Sequence, residues 1–328
     1  MREKSTFIRY VLSGAFTLAG LLLSVVTATA AGSLPPEPSK LATGGRATDV
    51  SRTNRAQTSE AQTKRAQTNR AQTGRAQPNK APAGPLAAAR TFSGEGFDTC
   101  QAPDLATMDA WRAHSSYGAV GIYFGGRARA CATQAHLTAD WVRQTTDAGW
   151  RLLPVYVGSQ SPCVTASNKN PYRIDTKDPA GQGTAEGKDA VQAAQALGLD
   201  AGSALYFDME AYDITDTACT AATLKYVQAW NKQLRADGYL SGFYSSADSG
   251  ITHLESARLA GVANLPDAVW FARWGVTADV VEEPALDSAA WTPHARIHQY
   301  RGTVTETYGG KKLSIDRDLI DAPVAVVG

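Results

Sequence analysis

Residues 204–210 read Ala204-Leu205-Tyr206-Phe207-Asp208-Met209-Glu210. The run from Ala204 to Met209 is apolar but for one acid, and too short for an ordinary helix. It has the form of a fully buried strand. The stretch from Ala221 to Asp237 that follows carries a helical pattern, and the same alternation recurs on both sides. Candidate strands fall at Gly94 to Asp98, Ala119 to Phe124, Leu152 to Val157, Gly242 to Ser245, Ala268 to Arg273, Ala295 to Gln299 and Leu313 to Arg317. Further helical patterns fall at Asp104 to Ala113, Thr138 to Ala148, Gly187 to Leu197 and Ile251 to Leu259. Eight strands alternating with helices predict an α/β fold, a closed parallel TIM-like barrel. The segments joining the last three strands are short or rich in Gly and Pro, so the barrel is expected to be irregular and helix-poor there.

In such barrels chemistry is built from the C-terminal ends of the strands. Asp98 ends the first run, Asp208 and Glu210 the fourth, and Asp316 lies near the end of the eighth, so all four are expected at one mouth. Residues two apart on a strand point the same way, which aims Asp208 and Glu210 together. Two neighbouring carboxylates in a partly dehydrated site cannot both ionise cheaply, so one keeps a proton. Glycoside cleavage requires such an acid, plus a carboxylate to stabilise or attack the oxocarbenium-like centre. Cys100, Cys131, Cys163 and Cys219 follow the first four runs and so share that rim in adjacent pairs. This predicts disulfides Cys100–Cys131 and Cys163–Cys219. A metal site is the weaker reading, since no CxxC or Cys/His zinc spacing occurs.

Six motifs in order, GFDTC at 96–100, YFDME at 206–210, GFYSS at 242–246, WFARW at 270–274, HQY at 298–300 and IDRDLID at 315–321, resemble a secreted glycoside-hydrolase-like family, domain of unknown function 1906. That family is itself similar to the glycoside hydrolase family 25 lysozymes, muramidases with five β/α units and three further strands. The resemblance spans roughly residues 93 to 324, about one domain's length. It implies that Glu210 is the general acid, that Asp208 orients an acetamido group or sugar, and that Asp98 and Asp316 complete the pocket. The strand-seven element is commonly WQY in family 25 and is His298-Gln299-Tyr300 here, which puts Gln299 beside Tyr300 in the substrate-binding set.

Tyr123, Tyr156, Tyr206, Tyr244, Trp270, Trp274 and Tyr300 fall at or near strand ends. Singly each is better explained by core packing; together they suit a sugar site, and Tyr123, Tyr156, Tyr244, Trp270 and Tyr300 are the expected contacts. Arg273 is expected to hold a substrate oxygen or to pair with Asp316. Asp248, Asp287 and Asp318 read as solvated loop or strand-end residues. Of the five histidines only His298 sits within a candidate strand. Nothing resembling a Walker loop, a dinucleotide fingerprint or a GxSxG elbow occurs, and no cofactor or metal is expected.

The N-terminal third is of another kind. Residues 1–30 combine a basic start, an apolar run from Val11 to Val26 and an Ala28-x-Ala30 site, the pattern of a secretory signal peptide; left uncleaved, the same segment would be the only membrane anchor expected. Residues 31–92 hold ten basic and three acidic side chains, and repeat a five-residue unit, NRAQT, SEAQT, KRAQT, NRAQT and GRAQP. Five matches neither the helical nor the strand period, so the segment is expected to be a disordered basic linker. Residues 93–328, the barrel domain, carry the remaining charge, net −8. Such a domain is a poor match for nucleic acid. The sequence thus predicts a monomer, secreted or cell-wall associated, acting on wall glycan of the peptidoglycan type with β-linked N-acetylated sugars. The alternatives are a non-catalytic wall-glycan-binding module, or a hydrolase of another polysaccharide.

Overall fold

The computed structural model describes residues 89–328. The signal-peptide reading of 1–30 and all but the last few residues of the linker lie outside them. Eight strands close a barrel in chain order: β1 (Thr91–Asp98), β2 (Ala119–Gly125), β3 (Arg151–Tyr156), β4 (Ala204–Asp208), β5 (Leu240–Ser246), β6 (Ala268–Ala272), β7 (Arg296–Tyr308) and β8 (Lys311–Pro323). Five helices follow the first five strands: α1 (Leu105–His114), α2 (Ala139–Asp147), α3 (Pro179–Ala196), α4 (Thr217–Ala236) and α5 (Thr252–Leu259). Side chains of Asp104, Thr138, Asp178 and Asp216 accept backbone N–H bonds at the starts of α1 to α4, relieving donors that have no partner within the helix. Among the described residues no helix interrupts the chain from β6 to β8, as the Gly- and Pro-rich connections predict.

One expectation is corrected. The barrel is not parallel throughout: β8 runs antiparallel to both β7 and β1. The reason is local. β7 and β8 are joined by Gly309-Gly310, both at positive φ (55° and 77°), a two-residue hairpin that only antiparallel strands can use. Both strands are 13 residues long, whereas β6 pairs with β7 only over Arg296 to Gln299 and β1 pairs with β8 only from Asp316 onward. The remaining halves rise beyond the rim as a hairpin. It is held to α1 by the Trp111 indole donating to Lys311 O (2.9 Å), by Tyr117 donating to Glu306 (3.2 Å), and by Trp111–Tyr308 ring contact at 5.0 Å.

Alternation along the strands divides the core into two layers. Ala119, Leu153, Val155, Tyr206, Trp270, Ile297 and Ile320 fill the barrel interior. Phe97, Trp111, Trp150, Phe207 and Trp230 form the layer between barrel and helices. Burying aromatics of this size is the largest apolar contribution to the fold, about 3 kcal/mol for each fully buried ring. It also gives the mouth a rigid floor.

Candidate active site

Asp98 is the last residue of β1 and is 3% exposed. It accepts from Tyr123 Oη and from Gln299 Nε2, each at 2.7 Å. Burial, then the charge of Asp316, pushes Asp98 up to about 7, against the opposing effect of those hydrogen bonds. Asp318, on β8, is fully buried; Trp270 Nε1 donates to its Oδ1 at 2.9 Å. Burial, then the neighbouring Asp98, raises it well above the usual carboxylate range. Burial thus favours the neutral form in both members of this pair, and Asp318 Oδ2 has no hydrogen-bond partner within the protein.

Asp208 ends β4 at 6% exposure, and its buried Oδ1 has no hydrogen-bond partner within the protein. Burial raises it well above the usual range, followed by the charge of Glu210, with Lys169 opposing. Two residues on, Glu210 is the more open carboxylate, its side chain 37% exposed. The buried Gln160 amide clamps this turn, accepting from Glu210 N and donating to Asp208 O, both at 2.8 Å. Lys169, on the connection between β3 and α3, places Nζ 3.5 Å from Glu210 Oε1 and also donates to Ala128 O.

Asp316 faces the same space for a reason other than the one expected. It is not at the end of a parallel strand; it lies mid-strand on β8, directly opposite Asp98 in the antiparallel register. Burial raises it, and the backbone N–H of Thr303 donates to it. Thr303 has φ of 50°, a costly conformation for a β-branched residue. It sits where β7 slips register between Arg301 and Val304. Asp98, Asp208, Glu210 and Asp316 line one cleft of about 710 Å³ together with Tyr123 and Lys169.

The other expected contacts divide. Tyr244 and Trp270 point inward as supports below the acids, Tyr244 donating to Gln299 Oε1 at 2.9 Å and Trp270 to Asp318. Tyr156 does not reach the mouth: strand alternation turns it outward, where its hydroxyl donates to Asp189 of α3 at 2.6 Å. Arg273 also faces outward and pairs with Glu283 (2.8 Å) and Asp248 (2.6 Å), not with Asp316. Tyr300 packs against His298 with centroids 6.1 Å apart, away from the cleft. Asp318 is the largest correction, being a buried carboxyl and not a solvated strand end. The signal was present, because Asp316, Asp318 and Ile320 share one face by the same two-residue period that groups Asp208 with Glu210. Lys169 and Gln160 have no comparable sequence signal, since each is brought in by a loop. The disulfides join Cys100 to Cys131 and Cys163 to Cys219, the pairs expected from the rim, and the first borders the cleft.

A closed eight-stranded α/β barrel with carboxyl groups gathered at its mouth has the architecture of glycoside-hydrolase-like proteins. Residues 109–320 match the family model described as Rv2525c-like, glycoside hydrolase-like domain, and the chain belongs to that family. Among solved structures it is similar to an uncharacterized B. stearothermophilus protein (18% identity, TM-score 0.44, covering 69% of this chain and 95% of that one). It is also similar to the Tat-secreted protein Rv2525c of Mycobacterium tuberculosis in complex with L-tartrate (15%, 0.47, 70% and 96%). A third is the Clostridium perfringens spore cortex lytic enzyme SleM (13%, 0.45, 70% and 67%). No curated protein matches the sequence.

Proposed function

We propose that this protein is an exported glycoside hydrolase acting on cell-wall glycan with β-linked N-acetylated sugars. The observation that carries the reading is the gathering of Asp98, Asp208, Glu210 and Asp316 on one cleft, with Asp208 buried and unpartnered at Oδ1. Glu210 donates a proton to the leaving glycosidic oxygen while the acetamido carbonyl oxygen of the sugar, oriented by Asp208, attacks the anomeric carbon; water then opens the oxazolinium ring so formed, yielding the reducing sugar and returning a proton to Glu210. Asp98 and Asp316, in their ionised forms, stabilise positive charge developing on the ring, and the burial that raises both strengthens that effect once they ionise. Membership of the glycoside hydrolase-like family supports the assignment, and two disulfides suit the oxidising exterior.

Release of reducing ends from purified wall glycan tests it. The wild type is expected to release product, and Glu210→Gln to lose at least about 100-fold in rate, the usual minimum for removing a general acid. A second reading has one specific observation in its favour: Lys169 forms an ion pair with Glu210 where a proton donor is required. If wild type and Glu210→Gln both bind wall glycan and neither releases product, the protein is a glycan-binding module.

A further inference from the structure

Trp274 stands apart from the other mouth aromatics. It is 54% exposed, whereas Trp270, four residues earlier, is 1% exposed. Arg273 faces outward to Glu283, and Arg273 N and Gly275 N pair with Gln299 O and Tyr300 O, so the chain stays beside β7 as it turns past the end of β6 at Trp274 and Gly275. From that turn the Trp274 side chain reaches back to the mouth residue Gln299. Its ring is not free to swing. Nε1 donates to Gln299 Oε1 at 3.0 Å, and the same amide donates to Asp98 from its other end. The indole therefore lies within about 8 Å of the Asp98 carboxylate, two hydrogen-bond lengths and one amide apart.

The strained turn of β7 completes the arrangement. A Cβ on Gly302 would fall 2.3 Å from the indole of Trp274, so the ring lies directly over the backbone of this residue and only glycine leaves room for it. The next residue, Thr303, is the one whose left-handed backbone turns its N–H onto Asp316. One irregularity in β7 thus both seats the indole and holds a cleft carboxylate. Trp274 is not part of the cleft wall, to which β7 contributes only Thr303; it stands where β6 ends, with the Asp98–Gln299 pair between.

We propose that Trp274 is a sugar-stacking platform that extends the glycan site across the barrel mouth, so that a chain seated in the cleft continues over the carboxylates and lays a pyranose ring on the indole. This rests on the glycan-binding reading above. The axial C–H bonds of a β-linked pyranose present weakly positive hydrogens that suit the negative face of the indole. Because the ring is held by Gln299 before the sugar arrives, little side-chain freedom is lost on contact. A platform beyond the acids also makes affinity depend on chain length, as expected for a protein that grips polymer and not its ends.

The test is calorimetric titration of the full-length protein with soluble β-1,4-linked N-acetylglucosamine oligomers from the disaccharide to the hexasaccharide. Wild type is expected to gain affinity with length. Trp274→Ala loses about tenfold for the hexasaccharide, equivalent to about 1.4 kcal/mol, with disaccharide affinity unchanged; Trp274→Phe retains most of the gain, and Gly302→Ala, which displaces the indole without removing it, behaves like Trp274→Ala. Thermal melts of each variant confirm folding. Equal affinities of wild type and Trp274→Ala at every length, with binding intact, would overturn the platform and leave the glycan reading standing. No binding of any oligomer or of wall glycan by the wild type would overturn both.

Discussion

At the scale of single residues, the Asp98–Asp318 pair gives the protein a pH dependence whose sign is fixed by burial. Both groups are raised in the folded state, Asp98 from 3.8 to about 7, so the folded chain binds protons more tightly than the unfolded one. Stability from this pair is full below about pH 4 and falls as pH rises through about 7. Urea denaturation at pH 5 and pH 8 should show the higher midpoint at pH 5. Asp318→Asn should shrink the difference, with Asp98, Asp208 and Asp316, also raised by burial, supplying the rest: the amide has no charge to bury, and its oxygen still accepts from Trp270. The variant is expected to be more stable than wild type at pH 8, by about 1 kcal/mol or more. A midpoint unchanged by the substitution at pH 8 would mean that Asp318 carries no buried proton. Tyr123→Phe should act in the opposite direction on Asp98, because it removes a donor to the carboxylate at a cost of about 1 kcal/mol.

Among the elements, the two disulfides do different work. Cys163–Cys219 closes a loop of 56 residues and ties the connection after β3 to the first turn of α4, where Cys219 itself is buried; by loop entropy it contributes about 4 kcal/mol. Cys100–Cys131 bridges the loops after β1 and β2 at the edge of the cleft, where Gln134 donates to the carbonyl oxygens of both cysteines. Replacing Cys163 and Cys219 by Ala should lower the melting temperature by several degrees and leave glycan affinity of the surviving fold little changed. Replacing Cys100 and Cys131 should weaken glycan binding as well as stability, and titration beside thermal melts separates the two effects. The β7–β8 hairpin shows how an element's ends depend on its neighbours. Sequence periodicity places strands at Ala295 to Gln299 and Leu313 to Arg317, but not the halves that rise beyond the rim, since those are stabilised by Trp111 and Tyr117 of the α1 region and not by any pattern of their own.

At the scale of the whole molecule, the barrel floor is closed by the last residues of the chain. Ala325 N donates to Leu152 O, Asp200 N to Val326 O and Val324 N to Arg90 O, while Val324 is wholly buried and Ala325 nearly so. Removing residues 324–328 should cost about 4 kcal/mol, from one buried valine and several backbone hydrogen bonds, with a matching fall in the urea midpoint. A truncated protein as stable as the intact one would show that β8 alone closes the barrel. What this sequence determined by itself was the succession of short apolar runs and amphipathic helices, the acids at the ends of the first and fourth runs, and the cysteines beside them, because strand and helix periods and the strand-end rule are local properties. The tertiary structure decided the direction of β8, which follows from a two-glycine hairpin, and with it the depth of Asp316 and Asp318. It also decided which aromatics are exposed at the mouth, turning Tyr156 toward α3 and leaving Trp274 open, and it brought Lys169 and Gln160 to Glu210 from a distant loop. Those outcomes depend on which surfaces meet when the barrel closes, and no window along the chain contains both partners.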